Sequence, residues 1–186
     1  TLLIALLASV VLILLPLLFY RHEGEPGALV RRRDVLFYFA AIGLAFLMVE
    51  IAFIQKLTLL LHHPTYSIAV SLAAFLVFAG VGSSLSSRLR EAIGERRCLR
   101  LALLGIGLLS LLYLIVLPPL FALIAHWSMI ARIVVAILLI GPLALLMGIP
   151  FPLALARLGG DAPRWVPWAW GINGCASVVS ASLATI

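Results

Sequence analysis

Six apolar runs follow one another along the chain, at about 1–19, 34–61, 65–82, 101–125, 129–158 and 166–186. Each approaches or exceeds the roughly 20 residues that an α-helix needs to cross a hydrocarbon core about 30 Å thick. Apolar positions are continuous within the runs, not alternating with period two, so the pattern predicts spanning helices and not barrel strands. The second run holds one acid, Glu50, and resumes after Gln55 and Lys56 to end at His62-His63-Pro64. The residue before a proline disfavours helical geometry, and a run this long is expected to tilt. The third is expected to begin near Thr65, a residue suited to capping. A kink is expected at Pro118-Pro119 in the fourth run. The fifth carries two breaks, Gly141-Pro142 and Gly148-Ile149-Pro150-Phe151-Pro152. The expectation is therefore an all-α, polytopic membrane domain over 1–186, with about six spans, two of them interrupted by Pro and Gly.

Composition supports that class. Of 186 residues, 65% are hydrophobic and 11% charged, and the mean hydropathy is +1.24. Soluble domains run at about 45–50% apolar and 25% charged residues, and disordered chains are charged and apolar-poor, so both are excluded. The net charge of +6 would suggest nucleic acid only if the basic residues formed a patch. They do not: of the 13 Lys and Arg, all but Lys56 and Arg132 lie in or beside the alternating loops 20–33, 83–100 and 159–165. By the positive-inside rule those loops face the cytoplasm of a bacterial inner membrane, and the turns at His62-His63 and His126-Trp127 face outside. Tyr20, Trp165 and Trp168 then fall at the inner interface and Trp127 at the outer one. The expected partners are lipid and other membrane helices, with no nucleic acid. The chain opens at Thr1 and stops at Ile186, each within an apolar run. Without the features of a signal peptide, it is expected to be a piece of a longer protein. Cys98 and Cys175 suggest neither a disulfide framework nor a metal site.

Glu50 is the residue that stands out. It lies about 16 residues, roughly 24 Å, from the cytoplasmic start of its helix, which puts it in the outer leaflet. An intramembrane carboxyl costs several kcal/mol unless paired, hydrated or neutral, so it marks either a functional site or a polar joint between helices. Lys56, six residues on, lies on another face of the helix, so any partner must come from elsewhere. His62, His63 and His126 share the outer side with Glu50, and imidazoles with carboxylates can bind metal. Adjacent histidines on one helix diverge, however, and no metal and no cofactor are expected in this chain. Gly80/Ser84 and Gly82/Ser86 have the small-xxx-small spacing of close helix packing, and Gly171 and Gly174, with the polar Asn173, repeat the theme. Gly80-Val81-Gly82 and Gly105-Ile106-Gly107 lack the third glycine and the strand context of nucleotide loops. The break formed by Gly148, Pro150 and Pro152, like that at Pro142, fits a kink, or a site built from freed backbone groups. The arginines of 83–100 could also meet anionic headgroups.

Four stretches taken in order carry a resemblance: Glu50-Ile51-Ala52-Phe53-Ile54-Gln55-Lys56 with His63-Pro64-Thr65-Tyr66, Gly80-Val81-Gly82-Ser83, Met147-Gly148-Ile149-Pro150-Phe151-Pro152, and Trp168-Ala169-Trp170-Gly171-Ile172-Asn173-Gly174. Over about 35–186 the chain resembles the transmembrane part of bacterial multi-pass proteins related to spermidine synthases. The resemblance implies a membrane domain joined to a soluble S-adenosylmethionine-type domain that would hold any aminopropyltransferase or methyltransferase-like activity. It transfers no catalytic residue here, and leaves Glu50, Gln55, Lys56, His63 and Asn173 as intramembrane polar candidates. Three functions stay open: an anchor that also serves as a conduit or partner surface, a small-solute or ion transporter using Glu50, and an accessory subunit of a larger complex.

Overall fold

Three consecutive helices of 30 residues begin the described part of the chain: α1 (Arg32–Leu61), α2 (Pro64–Ile93) and α3 (Glu95–Ile124). They are followed by α4 (Met129–Met147), α5 (Pro150–Asp161), a 3-10 turn (Pro163–Trp165) and α6 (Val166–Ala184). The computed structural model describes residues 32–184, and the expected span 1–19 lies outside them, as does most of loop 20–33. The described residues are helical and contain no strand. Four helical segments are long and apolar enough to cross a membrane: α1, α2, α3 and the nearly continuous α4–α5 pair, Met129–Asp161. The sixth expected span is a helix, α6, but Asn173, two glycines and three serines keep it below the apolarity of the other four.

Two expectations are corrected. The stretch 83–100 is not a loop: α2 and α3 run through it and meet at a single residue, Gly94. A 30-residue helix is about 45 Å long, well beyond a hydrocarbon core of about 30 Å. Charge therefore marks where these helices leave the bilayer, not where they end. The end falls at Gly94, whose φ of 82° is open to glycine and strained for other residues. The second correction concerns Gly141-Pro142, through which α4 continues unbroken. Pro142 deletes the backbone hydrogen bond to the Leu138 carbonyl, and Tyr113 of α3 donates its hydroxyl to the adjoining Leu139 carbonyl at 2.6 Å. The real interruption is at Gly148-Ile149, where Pro150 and Pro152 together remove two donors. Tyr38 of α1 donates there to the Pro150 carbonyl at 3.2 Å. Pro118 and Pro119 likewise leave α3 continuous.

The most extensive packing joins α1 to α6 and α2 to α4, each pair running parallel. In hydrocarbon, helices associate through close packing and interhelical hydrogen bonds. On α2, a methyl at Gly82 would overlap the Leu145 carbonyl of α4, and one at Gly148 would overlap the Ala79 carbonyl of α2. Each backbone thus rests in the space left by the other's glycine. The Phe78 ring packs 3.1 Å from where a Gly141 methyl would stand. The other expected pair, Gly80/Ser84, faces outward, with Ser84 bonding the Gly80 carbonyl of its own helix at 3.0 Å.

On α6 the packing stripe is Ala169, Asn173, Ser177 and Ser180. A methyl on Gly43 of α1 would overlap the Asn173 carbonyl. Ser177 donates to the Gly43 carbonyl at 3.3 Å and Ser180 to the Leu44 carbonyl at 2.8 Å. Gly171 and Gly174 lie on the opposite, exposed face and take no part in the α1–α6 contact, with nothing among the described residues within 4 Å of where their methyls would stand. Gly82→Ala should lower stability in detergent by about 1–3 kcal/mol, the range for overpacking a tight contact. Gly80→Ala should be neutral or stabilising by up to about 1 kcal/mol, through helix propensity alone. Thermal unfolding of the two variants side by side measures the difference.

Candidate functional site

The interior of the bundle is organised by a layer of aromatic rings. Phe53 of α1 meets Phe75 of α2 at 5.7 Å and Tyr113 of α3 at 5.9 Å, both edge to face, and Phe46 meets Phe75 at 6.0 Å. Such geometry matches the ring quadrupoles. Three buried polar residues sit three or four positions from this layer, hence on the same helix faces: Glu50 before Phe53, Ser71 before Phe75 and Ser110 before Tyr113. Because α2 runs opposite to α1 and α3, Glu50 and Ser110 lie on one side of the rings and Ser71 on the other.

Glu50 is 7% exposed. Its face also carries Gly43, Phe46 and Leu57, which places it at the seam between the α6-facing side of α1 and the core. Among the described residues no Lys, Arg or His lies within ion-pairing distance of its carboxyl. The Ser71 and Ser110 hydroxyls are buried without hydrogen-bond partners there, and so is Asn173 Oδ1, against Gly43.

The structure does not bring the other predicted candidates to Glu50. Gln55 and Lys56 are half-buried, and Lys56 forms no ion pair among the described residues. His62, His63 and His126 are exposed at the far end of the bundle, with the His63 ring edge-on to Tyr66 at 5.8 Å. No group of three His, Cys, Asp or Glu side chains able to hold a metal ion occurs among the described residues.

That far end does hold a feature that hydropathy reading missed. Arg132, near the start of α4, donates Nη1 to the Leu60 carbonyl at 2.5 Å and lies 3.4 Å from His62 Nδ1. The guanidinium caps the last turn of α1, where orphan carbonyls and the negative end of the helix dipole favour a cation. His62 ends that helix with φ at 58°, a left-handed conformation rare for residues other than glycine. The signal in the sequence was a lone arginine among apolar residues, one helical turn into α4.

No protein-family model matches the chain, and no curated protein or solved structure matches it either. At the opposite end, Arg157 of α5 lies 3.9 Å from Glu95 of α3 and 3.4 Å from Asp161. This contact ties the arginine-rich segments together at one end of the bundle, where the Trp165 and Trp168 rings lie 6.5 Å from each other. Trp127 is exposed at the histidine end.

Arg132→Met should destabilise by about 1.5–3 kcal/mol, the range for losing a charged hydrogen bond to a carbonyl. Arg132→Lys should recover only part, because a point charge lacks the planar fork. Unfolding midpoints of the three proteins in one detergent provide the check.

Proposed function

We propose that this chain is the membrane domain of a spermidine-synthase-like protein, acting as a multi-pass anchor in the bacterial inner membrane with its arginine end in the cytoplasm. What supports this reading is where the motif residues fall. Gly82 of the second motif, Gly148 of the third and Asn173 of the fourth each make one of the backbone-to-backbone contacts that join helices. The first motif contributes Phe53 to the aromatic layer and His63, the extended residue that precedes α2. Residues used in this way specify a rigid scaffold. Chemistry on S-adenosylmethionine-derived substrates would then belong to a soluble domain on the same polypeptide, and the bundle would position it at the membrane or offer it a partner surface.

A second reading is favoured by one observation, the burial of Glu50 on the same side of the aromatic layer as the Ser110 hydroxyl, which has no hydrogen-bond partner among the described residues. A buried carboxyl without an ion-pair partner is what a proton-coupled or solute-conducting path requires. Two measurements separate the readings. The coding region flanking this segment should encode, in frame, a Rossmann-type domain with a glycine-rich loop; its absence overturns the anchor reading. In reconstituted vesicles, Glu50→Gln should leave ion and polyamine flux at the level of the unaltered protein. Loss of a flux that the unaltered protein supports would favour transport.

A further inference from the structure

Where α2 gives way to α3, the arginine end of the bundle holds an open cleft of about 450 Å³ lined by Gly94, Glu95, Arg96, Arg97, Arg100 and Arg157. Four guanidinium groups line it against one carboxylate. Arg157 is partly neutralised by Glu95 at 3.9 Å and Asp161 at 3.4 Å. Arg97 and Arg100 are exposed and form no ion pair among the described residues. Because Gly94 is the entire linker, these arginines stand on helical backbone, not on a loop. Their placement is unfavourable by itself. Arg96 and Arg97 occupy the first turn of α3, where the dipole disfavours cations. Arg96 and Arg100 are like charges four residues apart, and Arg97 and Arg100 three apart, which repel on a helix.

One anion of suitable geometry would relieve the repulsion between Arg97 and Arg100, and guanidinium forks suit phosphate oxygens. The same face of α3 continues from Arg97 through Leu101, Leu104 and Leu108, which are 60%, 54% and 69% exposed. A phosphate in the cleft would thus sit directly at the head of an apolar stripe.

We propose that this cleft binds the phosphate of an anionic phospholipid, with Arg97 and Arg100 gripping the headgroup and an acyl chain lying along Leu101, Leu104 and Leu108. Basic pockets between membrane helices on the cytoplasmic side suit such headgroups. The proposal holds whether the domain anchors or transports.

The test uses the full chain in a neutral detergent, titrated with phosphatidylglycerol, with phosphatidylcholine and with inorganic phosphate, and reads the thermal midpoint. Phosphatidylglycerol should raise the midpoint and phosphatidylcholine should not. The pair Arg97→Gln and Arg100→Gln should weaken the apparent affinity for phosphatidylglycerol by at least about tenfold, as loss of charged hydrogen bonds implies. Arg88→Gln with Arg90→Gln removes the same charge at the same end but outside the cleft, and should change affinity by less than about twofold. Equal weakening by both pairs, or equal shifts with both lipids, would overturn the site. Stabilisation by inorganic phosphate that abolishes the lipid response would overturn the lipid assignment and leave a free-anion site. Cys98, 3% exposed, should stay protected from maleimide in every variant. If the double variant fails that control, the single substitutions carry the comparison.

Discussion

Lipid tails are as apolar as leucine, so burying leucine against leucine gives membrane helices little reason to associate. What distinguishes the packed state is contact that lipid cannot imitate. In this bundle that contact is a carbonyl of one helix set into the space where another helix has no side chain. It occurs at Gly82 against Leu145, at Gly148 against Ala79 and at Gly43 against Asn173. The first two, reciprocal between α2 and α4, bring the backbones close enough for Phe78 to lie over Gly141. They hold the Gly148 interruption against an intact neighbouring helix. The third draws α6 onto α1, and puts the Ser177 and Ser180 hydroxyls within reach of α1 carbonyls. The aromatic layer and the buried Glu50 follow from helices held at these separations.

Hydropathy made the helical class legible because bilayer thickness sets the length of an apolar run, and α1, α2, α3 and the α4–α5 pair answer to it. It also located the turns at His62-His63 and His126-Trp127. It misjudged 83–100 because arginine and glutamate end a hydrophobic run without ending a helix; only Gly94 does that here. It treated Pro142 as equal to the pair Pro150 and Pro152, although one missing donor leaves α4 continuous and the two missing donors coincide with its interruption. Spacing of small residues identified the device and not the face. Gly80 and Gly82 stand two apart on one helix, so only one of them can meet α4. On α6 the packing stripe runs through Asn173, and not through Gly171 or Gly174. Which face turns inward is decided by the partner helix, and a single sequence does not name it. Arg132 was visible only as an isolated charge, since its acceptor lies 72 residues earlier in the chain.

Charge performs a separate task at each end. At the histidine end one guanidinium closes the last turn of α1, where Arg132 and Leu60 meet. At the other end arginines from α2, α3 and α5 gather on helical backbone that extends past the apolar core. The excess of positive charge there first reads as a topology signal, and its geometry adds a cleft open to anions. Between the two ends the interior formed by the described residues is apolar apart from Glu50, Asn173 and a few hydroxyls, and the Phe53, Phe75 and Tyr113 layer crosses it.

The rest of the bundle depends on α2 and α4 meeting backbone to backbone. A Gly82 methyl would stand 2.8 Å from the Leu145 carbonyl carbon, and a Gly148 methyl 2.8 Å from that of Ala79. Solid-state NMR of the carbon-labelled protein in lipid bilayers measures this contact without altering a residue. Through-space cross-peaks should join Gly82 Cα to the Leu145 carbonyl and Gly148 Cα to the Ala79 carbonyl at short mixing times. Their absence, with the intrahelical cross-peaks of the same residues intact, would contradict the packing.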